Sequence, residues 1–195
     1  MYIAEDILDA REKRVEKQKR ILEKYLNTLI VVRANYPGVN KDNTVTREIV
    51  DVIKNELIKV FNVESLCDCT NIKSQEIEII EKSSDNILFK QLEFTPEGPI
   101  FFMVVNKNIV DVKKLCITIE EKHPLGRFVD IDVYNEKGQG ISRRELGLAS
   151  RKCFICSEDA HLCVRSRRHS QKEIIDFIEK SFGEYTKKHM ENKHE

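Results

Sequence analysis

The stretch HPLGRFVDIDV, residues 123–133, decides how the chain is read. Phe128, Val129, Ile131 and Val133 make it look like a buried strand, yet Asp130 and Asp132 interrupt it. Side chains two apart on a strand share a face, so the aspartates project together and the valines and Ile131 line the core side. Two neighbouring carboxylates repel each other, and burial without a partner is costly. A divalent cation relieves that repulsion, and Mg²⁺ is commonly held by one or two carboxylates together with substrate phosphates. The plainer alternative is the polar face of a half-exposed strand.

Working outward, residues 4–27 have helical spacing at Ile7, Leu8, Val15, Leu22, Tyr25 and Leu26, with a densely charged remainder. LIVVRANYPG (29–38) reads as a buried strand running into a Pro37-Gly38 turn. A second helix is expected over 45–61. EIEII (76–80), ILFKQLEF (87–94) and PIFFMVVN (99–106) are strand runs separated by turn residues. A third helix over 110–122 places Val112, Leu115 and Ile119 on one face. Ser170 and Glu173 form a capping box that opens a last helix, and the polar tail after Gly183 is expected to fray. No repeat or flexible linker interrupts the chain. The fold class is therefore α+β: a single domain over 1–195, with a mixed or antiparallel sheet packed against about four helices. Its parts are a charged opening helix (1–27), a sheet core with helices (28–140), an Arg/Cys-rich segment (141–170) and a final helix (170–187).

The 195 residues suffice for one real core, and the 41% hydrophobic and 34% charged shares fit a globular chain. Zero net charge argues against a general nucleic-acid binder, and no run approaches the roughly 18 apolar residues of a membrane span. The N-terminus has no apolar core or cleavage site of a secretory signal, so a cytoplasmic location is expected.

Charge is unevenly placed, however. Arg143, Arg144, Arg151, Lys152, Arg165, Arg167 and Arg168 fall between Ser142 and Ser170, against only Glu145, Glu158 and Asp159. Guanidinium forks match phosphate oxygens, so this segment suits a polyphosphate. The same segment holds Cys153-x2-Cys156, His161 and Cys163, a set able to close a tetrahedral zinc site, with His169 as an alternative to His161. The competing reading is a compact loop with partly buried thiols. Cys67, Cys69 and Cys116 show no partner pattern.

HPLGRFVDIDV, ISRRELGL (141–148) and RKCFICSEDAHLCVRSRRHS (151–170), in that order, closely resemble citrate lyase holo-acyl-carrier-protein synthase, also called apo-citrate lyase phosphoribosyl-dephospho-CoA transferase. ILDAREKRVEKQKRIL, NYPGVNK and EGPIFFMVV extend the resemblance to the full length. It implies a nucleotidyltransferase-type reaction. The phosphoribosyl-dephospho-CoA part of triphosphoribosyl-dephospho-CoA passes to a serine of the apo citrate lyase acyl carrier protein, and pyrophosphate leaves. A divergent nucleotidyltransferase-like fold follows as an expectation. The departure from the usual pattern is that Gly126-Arg127 lies just before Asp130 and no Gly-Ser turn is present.

Under this resemblance Asp130 and Asp132 are assigned to Mg²⁺ and catalysis. Arg127, Arg143, Arg144, Arg165, Arg167 and Arg168 are assigned to the phosphates, with Asn35 and Lys41 as further substrate contacts. His123 is the candidate base towards the carrier serine, or else a cap on the third helix. Zn²⁺ on Cys153, Cys156, His161 and Cys163 would be structural. The alternative function is a zinc-stabilised module that binds carrier proteins without catalysis of its own.

Overall fold

Val129–Tyr134 forms the expected strand, and burial alternates along it: Val129, Ile131 and Val133 are buried, while Asp130, Asp132 and Tyr134 are half-buried. The computed structural model describes residues 2–63 and 86–191. In chain order the elements are α1 (Ala4–Tyr25), β1 (Thr28–Ala34), α2 (Thr44–Val63), β2 (Ile87–Thr95), β3 (Gly98–Val105), α3 (Ile109–Lys122), β4 (Val129–Tyr134), α4 (Ala160–Ser166) and α5 (Gln171–Glu191). EIEII, Cys67 and Cys69 lie outside the described residues. Among those described, no helix is long and apolar enough to cross a membrane.

The four described strands form one sheet in the order β2-β3-β1-β4, and every pairing is antiparallel. The central strands β1 and β3 are apolar runs because both of their faces are covered. One face carries Ile30, Val32, Phe101, Met103, Ile131 and Val133 against α2, α3 and α5. The other carries Leu29, Val31, Ile100, Phe102 and Val104 against Ile21 and Leu22 of α1.

Local chemistry explains the helix starts. The Asn108 side chain accepts from the Val110 N–H at 2.8 Å to open α3. Ser170 and Glu173 exchange the expected capping-box bonds at 2.7 and 3.2 Å ahead of α5.

Three sequence expectations need correction. First, Leu8, Val15 and Leu26 of the opening segment are exposed, and the buried positions are Ile7, Ala10, Gln18, Ile21 and Leu22. The inward stripe is partly polar because α1 crosses a sheet face that is charged at one end. Second, the segment after Gly183, expected to fray, stays helical, and α5 passes the expected end at 187. It continues to Glu191 because Phe182 and Tyr185 pack on the core and Tyr185 stacks on His189 with centroids 3.9 Å apart. Third, α4 lies inside the supposed loop. Its seven residues are too few to display a helical period.

Candidate active site

β4 pairs with β1 so that Arg33 stands opposite Asp130 and Val31 opposite Asp132. Arg33 therefore shares the face of both aspartates. It donates to Asp132 Oδ2 at 2.8 Å and to Glu97 Oε1 at 3.1 Å. Burial opposes the Arg33 charge, but Asp132, Glu97 and Asp130 outweigh it and its pKa is raised. Glu97, in the β2–β3 turn, also accepts from Arg14 of α1 at 2.8 Å. The arginines on the inward stripe of α1 thus answer a carboxylate that is only 3% exposed.

Asp130 is held from the opposite side. Arg151 Nη1 donates to Asp130 Oδ1 at 2.9 Å, and Nη2 donates to Glu120 of α3. Glu120 also accepts from Arg143 Nη2 at 2.7 Å. The result is two alternating chains of charge, Glu97–Arg33–Asp132 and Asp130–Arg151–Glu120, on either side of the aspartate pair. Glu97 and Glu120 are buried, whereas both aspartate side chains are 39% exposed. The buried carboxylates anchor the arginines, and the exposed pair faces solvent.

Two cavities meet here. A small polar one of about 190 Å³ is lined by Arg11, Arg33, Asn35, Lys41, Glu97 and Asp130. Burial, with Arg11 nearby, lowers the Lys41 pKa, and its Nζ donates to the Tyr36 carbonyl at 2.6 Å. A large one of about 950 Å³ is lined by Asn35, Arg127, Arg143, Arg151, Arg167 and Gln171, with Leu148, Phe154, Val164 and Ile174 as apolar wall. Its volume lies within the range of nucleotide and cofactor sites. Asn35 belongs to both, and the Arg151–Asp130 pair stands between them. Gly38, at φ +86°, allows the Pro-Gly turn to close on Gln171 at the start of α5, where a Cβ would come within 2.3 Å of its Nε2.

The expected substrate residues are thus divided. Arg127, Arg143, Arg167, Asn35 and Lys41 line one cavity or the other. Arg127 also holds the backbone carbonyls of Lys152 and Cys153, the latter at 3.1 Å. Arg144, Arg165 and Arg168 are exposed and line neither. His123 caps the C-terminus of α3, accepts from the Leu125 N–H at 3.1 Å and packs on Tyr185 on the α5 side of the sheet. Its pKa is lowered by burial.

Cys153, Cys156, Cys163 and His169 gather their ligand atoms within 4.8 Å of one another. His169, not the exposed His161, takes the fourth place. The hydrogen bond from His169 lowers the Cys156 pKa to about 6, and burial with the neighbouring Cys156 pushes Cys163 up to about 12.

Sequence reading missed Arg33, Glu97 and Glu120, and it placed Arg151 only in the basic segment, with no role at Asp130. Arg33 carried a signal, since a charge inside LIVVRA needs a partner as much as Asp130 does. Glu97 and Glu120 carried none, lying in a turn and in a charged helix end.

Among the described residues, Asp130 and Asp132 each keep one oxygen without a hydrogen-bond partner. Two hard oxygen donors on one exposed face fit Mg²⁺.

The family model described as apo-citrate lyase phosphoribosyl-dephospho-CoA transferase matches residues 3–78 and 68–185. Protein CitXG of Leuconostoc mesenteroides subsp. cremoris is 32% identical over 94% of this chain, which spans only 36% of that longer protein. The probable apo-citrate lyase phosphoribosyl-dephospho-CoA transferase of Vibrio cholerae is 28% identical over 93% of this chain and 92% of its own length. The Streptococcus pyogenes protein of the same name is 31% identical over 90% and 82%. Matched by that model over most of its length, the chain belongs to the apo-citrate lyase phosphoribosyl-dephospho-CoA transferase family.

Proposed function

We propose that this chain moves the phosphoribosyl-dephospho-CoA group of triphosphoribosyl-dephospho-CoA onto a serine of the apo citrate lyase acyl carrier protein. The serine oxygen bonds to the phosphorus nearest the ribose, the bond from that phosphorus to pyrophosphate breaks, and the serine proton is lost. The observation that carries this reading is the Arg151–Asp130 ion pair, which joins the exposed aspartates to an arginine-rich cavity of about 950 Å³. Such a cavity suits a nucleotide with a long, partly apolar arm. Arg127, Arg143 and Arg167 supply positive charge for the phosphates, and Leu148, Phe154, Val164 and Ile174 supply apolar contact.

Asp130 and Asp132 would hold Mg²⁺, which supplies charge neutralisation of the polyphosphate when bound. Arg33 orients one carboxylate through Asp132 Oδ2, and Arg151 orients the other through Asp130 Oδ1. The site lies in the cytoplasm under this reading, where its carrier protein is made.

Transfer of labelled prosthetic group to purified carrier protein tests the proposal. Asp130→Asn and Asp132→Asn should each lose at least about two orders of magnitude in rate with unchanged circular dichroism. Near-normal transfer in both would refute the catalytic assignment. The cysteine–histidine cluster favours a second reading, a zinc-stabilised module that only binds the carrier. Pyrophosphate release from the nucleotide when the purified protein and the apo carrier protein are the only proteins present excludes it.

A further inference from the structure

We infer that Cys153, Cys156, Cys163 and His169 form a closed structural zinc site that fastens the arginine segment to the wall of the large cavity. The four ligands come from a short span folded for the purpose. A Lys152–Asp159 backbone bridge and a Cys153 N–H to Glu158 carbonyl bond of 2.7 Å close a turn bearing Cys153 and Cys156. α4 begins directly after that turn and carries Cys163, and His169 follows its end.

The spacing fits the ion. Zn–S bonds near 2.3 Å and Zn–N bonds near 2.0 Å in a tetrahedron put ligand atoms about 3.5–3.8 Å apart. Cys156 Sγ is 3.4 Å from Cys163 Sγ and 3.3 Å from His169 Nε2. Three sulfurs and one imidazole select zinc over the hard cations suited to Asp130 and Asp132. All four positions are filled by protein, so the site is structural and leaves no place for an activated water. A disulfide between Cys156 and Cys163 would leave the convergence of Cys153 and His169 without a cause. Arg168 stands against the Cys156 sulfur and balances the negative charge of three thiolates.

The consequence lies in the cavity. Arg127 grips the carbonyls of Lys152 and Cys153, and Arg151 reaches Asp130 and Glu120 from the residue just before. A metal on Cys153 therefore holds Arg151 and Arg167 at the cavity wall, while the sheet core is built without it.

The test uses the full chain, purified under reducing conditions, with metal measured by mass spectrometry. One zinc per chain is expected, and cobalt exchange should give the intense absorption of a tetrahedral thiolate site. Cys156→Ser and His169→Gln should lose zinc, and His161→Gln should keep it. Chelation should speed tryptic cleavage between residues 151 and 168 about tenfold and leave the far-ultraviolet circular dichroism largely intact. The cobalt spectrum and the chelation arm use the unmutated chain, so a variant that fails to fold does not remove the test. Metal-free protein that takes up neither zinc nor cobalt overturns the inference. So does a Cys156–Cys163 disulfide in the purified chain, or zinc retained by both ligand variants.

Discussion

Glu120 Oε1 accepts the backbone N–H of Ile131 at 3.0 Å, at the residue that separates the two aspartates. Lys113 Nζ donates to the carbonyl of the same residue at 2.7 Å. β4 is an edge strand, and α3 thereby satisfies the outward N–H and carbonyl of Ile131, while the Val129 and Val133 carbonyls accept from Arg151 and the Ile141 N–H. Glu120 also binds Arg143 and Arg151, so one buried carboxylate sets both the edge of β4 and the arginine that meets Asp130. Glu120→Ala leaves an N–H and two guanidinium groups without their buried acceptor. It should cost about 3–5 kcal/mol in urea unfolding. Glu120→Gln keeps an acceptor for Ile131 and should cost less. A loss below about 1 kcal/mol in the alanine variant would contradict the anchoring role.

On the sheet face covered by α1, opposite the face on which α3 packs, Glu97 joins α1 to the sheet through Arg14 and Arg33. Removing its charge strands the guanidinium groups that surround it. Glu97→Gln should destabilise the chain by about 2–4 kcal/mol and lower hydrogen-exchange protection along α1 before that of β1 and β3. A double-mutant cycle with Arg14→Met should return a coupling of about 1–3 kcal/mol. Additive effects would mean that the pair contributes nothing to docking α1.

Much of this was legible in the chain. The alternation of VDIDV placed Asp130 and Asp132 on one face, and the apolar runs located β1 and β3. What escaped were long-range partners. Arg33 and Glu97 are 64 residues apart, and Arg151 and Glu120 are 31 apart, so no local pattern links them. Sequence reading gave the repulsion between the aspartates to a cation alone. In the fold Arg33 and Arg151 already relieve part of it. His169 was reachable as an alternative, but choosing it over His161 required the turn that ends α4, where Arg167 adopts φ +47°.

Gly126 marks where the chain passes from α3 into β4. A Cβ there would sit 2.2 Å from the Ile119 carbonyl oxygen and 2.9 Å from Glu120 Cα, both backbone atoms of α3 that cannot swing aside. Gly126→Ala should therefore push the turn off the helix, costing about 1–3 kcal/mol, and lower the transfer rate because Arg127 and Asp130 follow directly. Unchanged melting temperature and unchanged transfer together would show that the turn has room this geometry does not provide.

Tyr36 gives the chain an alkaline limit. Its hydroxyl donates to Glu179 of α5 at 3.0 Å, and burial together with that bond raises its pKa from 10 to about 12. Folding thus favours the protonated phenol. The stability it contributes is complete below pH 10 and is lost as pH rises from about 10 through 12, because the unfolded chain ionises first. At pH 8, Tyr36→Phe should cost about 1 kcal/mol for the lost hydrogen bond. Between pH 10 and 12 the wild-type chain should lose stability more steeply than the variant, and the two unfolding curves should converge. Parallel losses in the two proteins over that window would place the alkaline sensitivity elsewhere and leave Tyr36 a packing residue only.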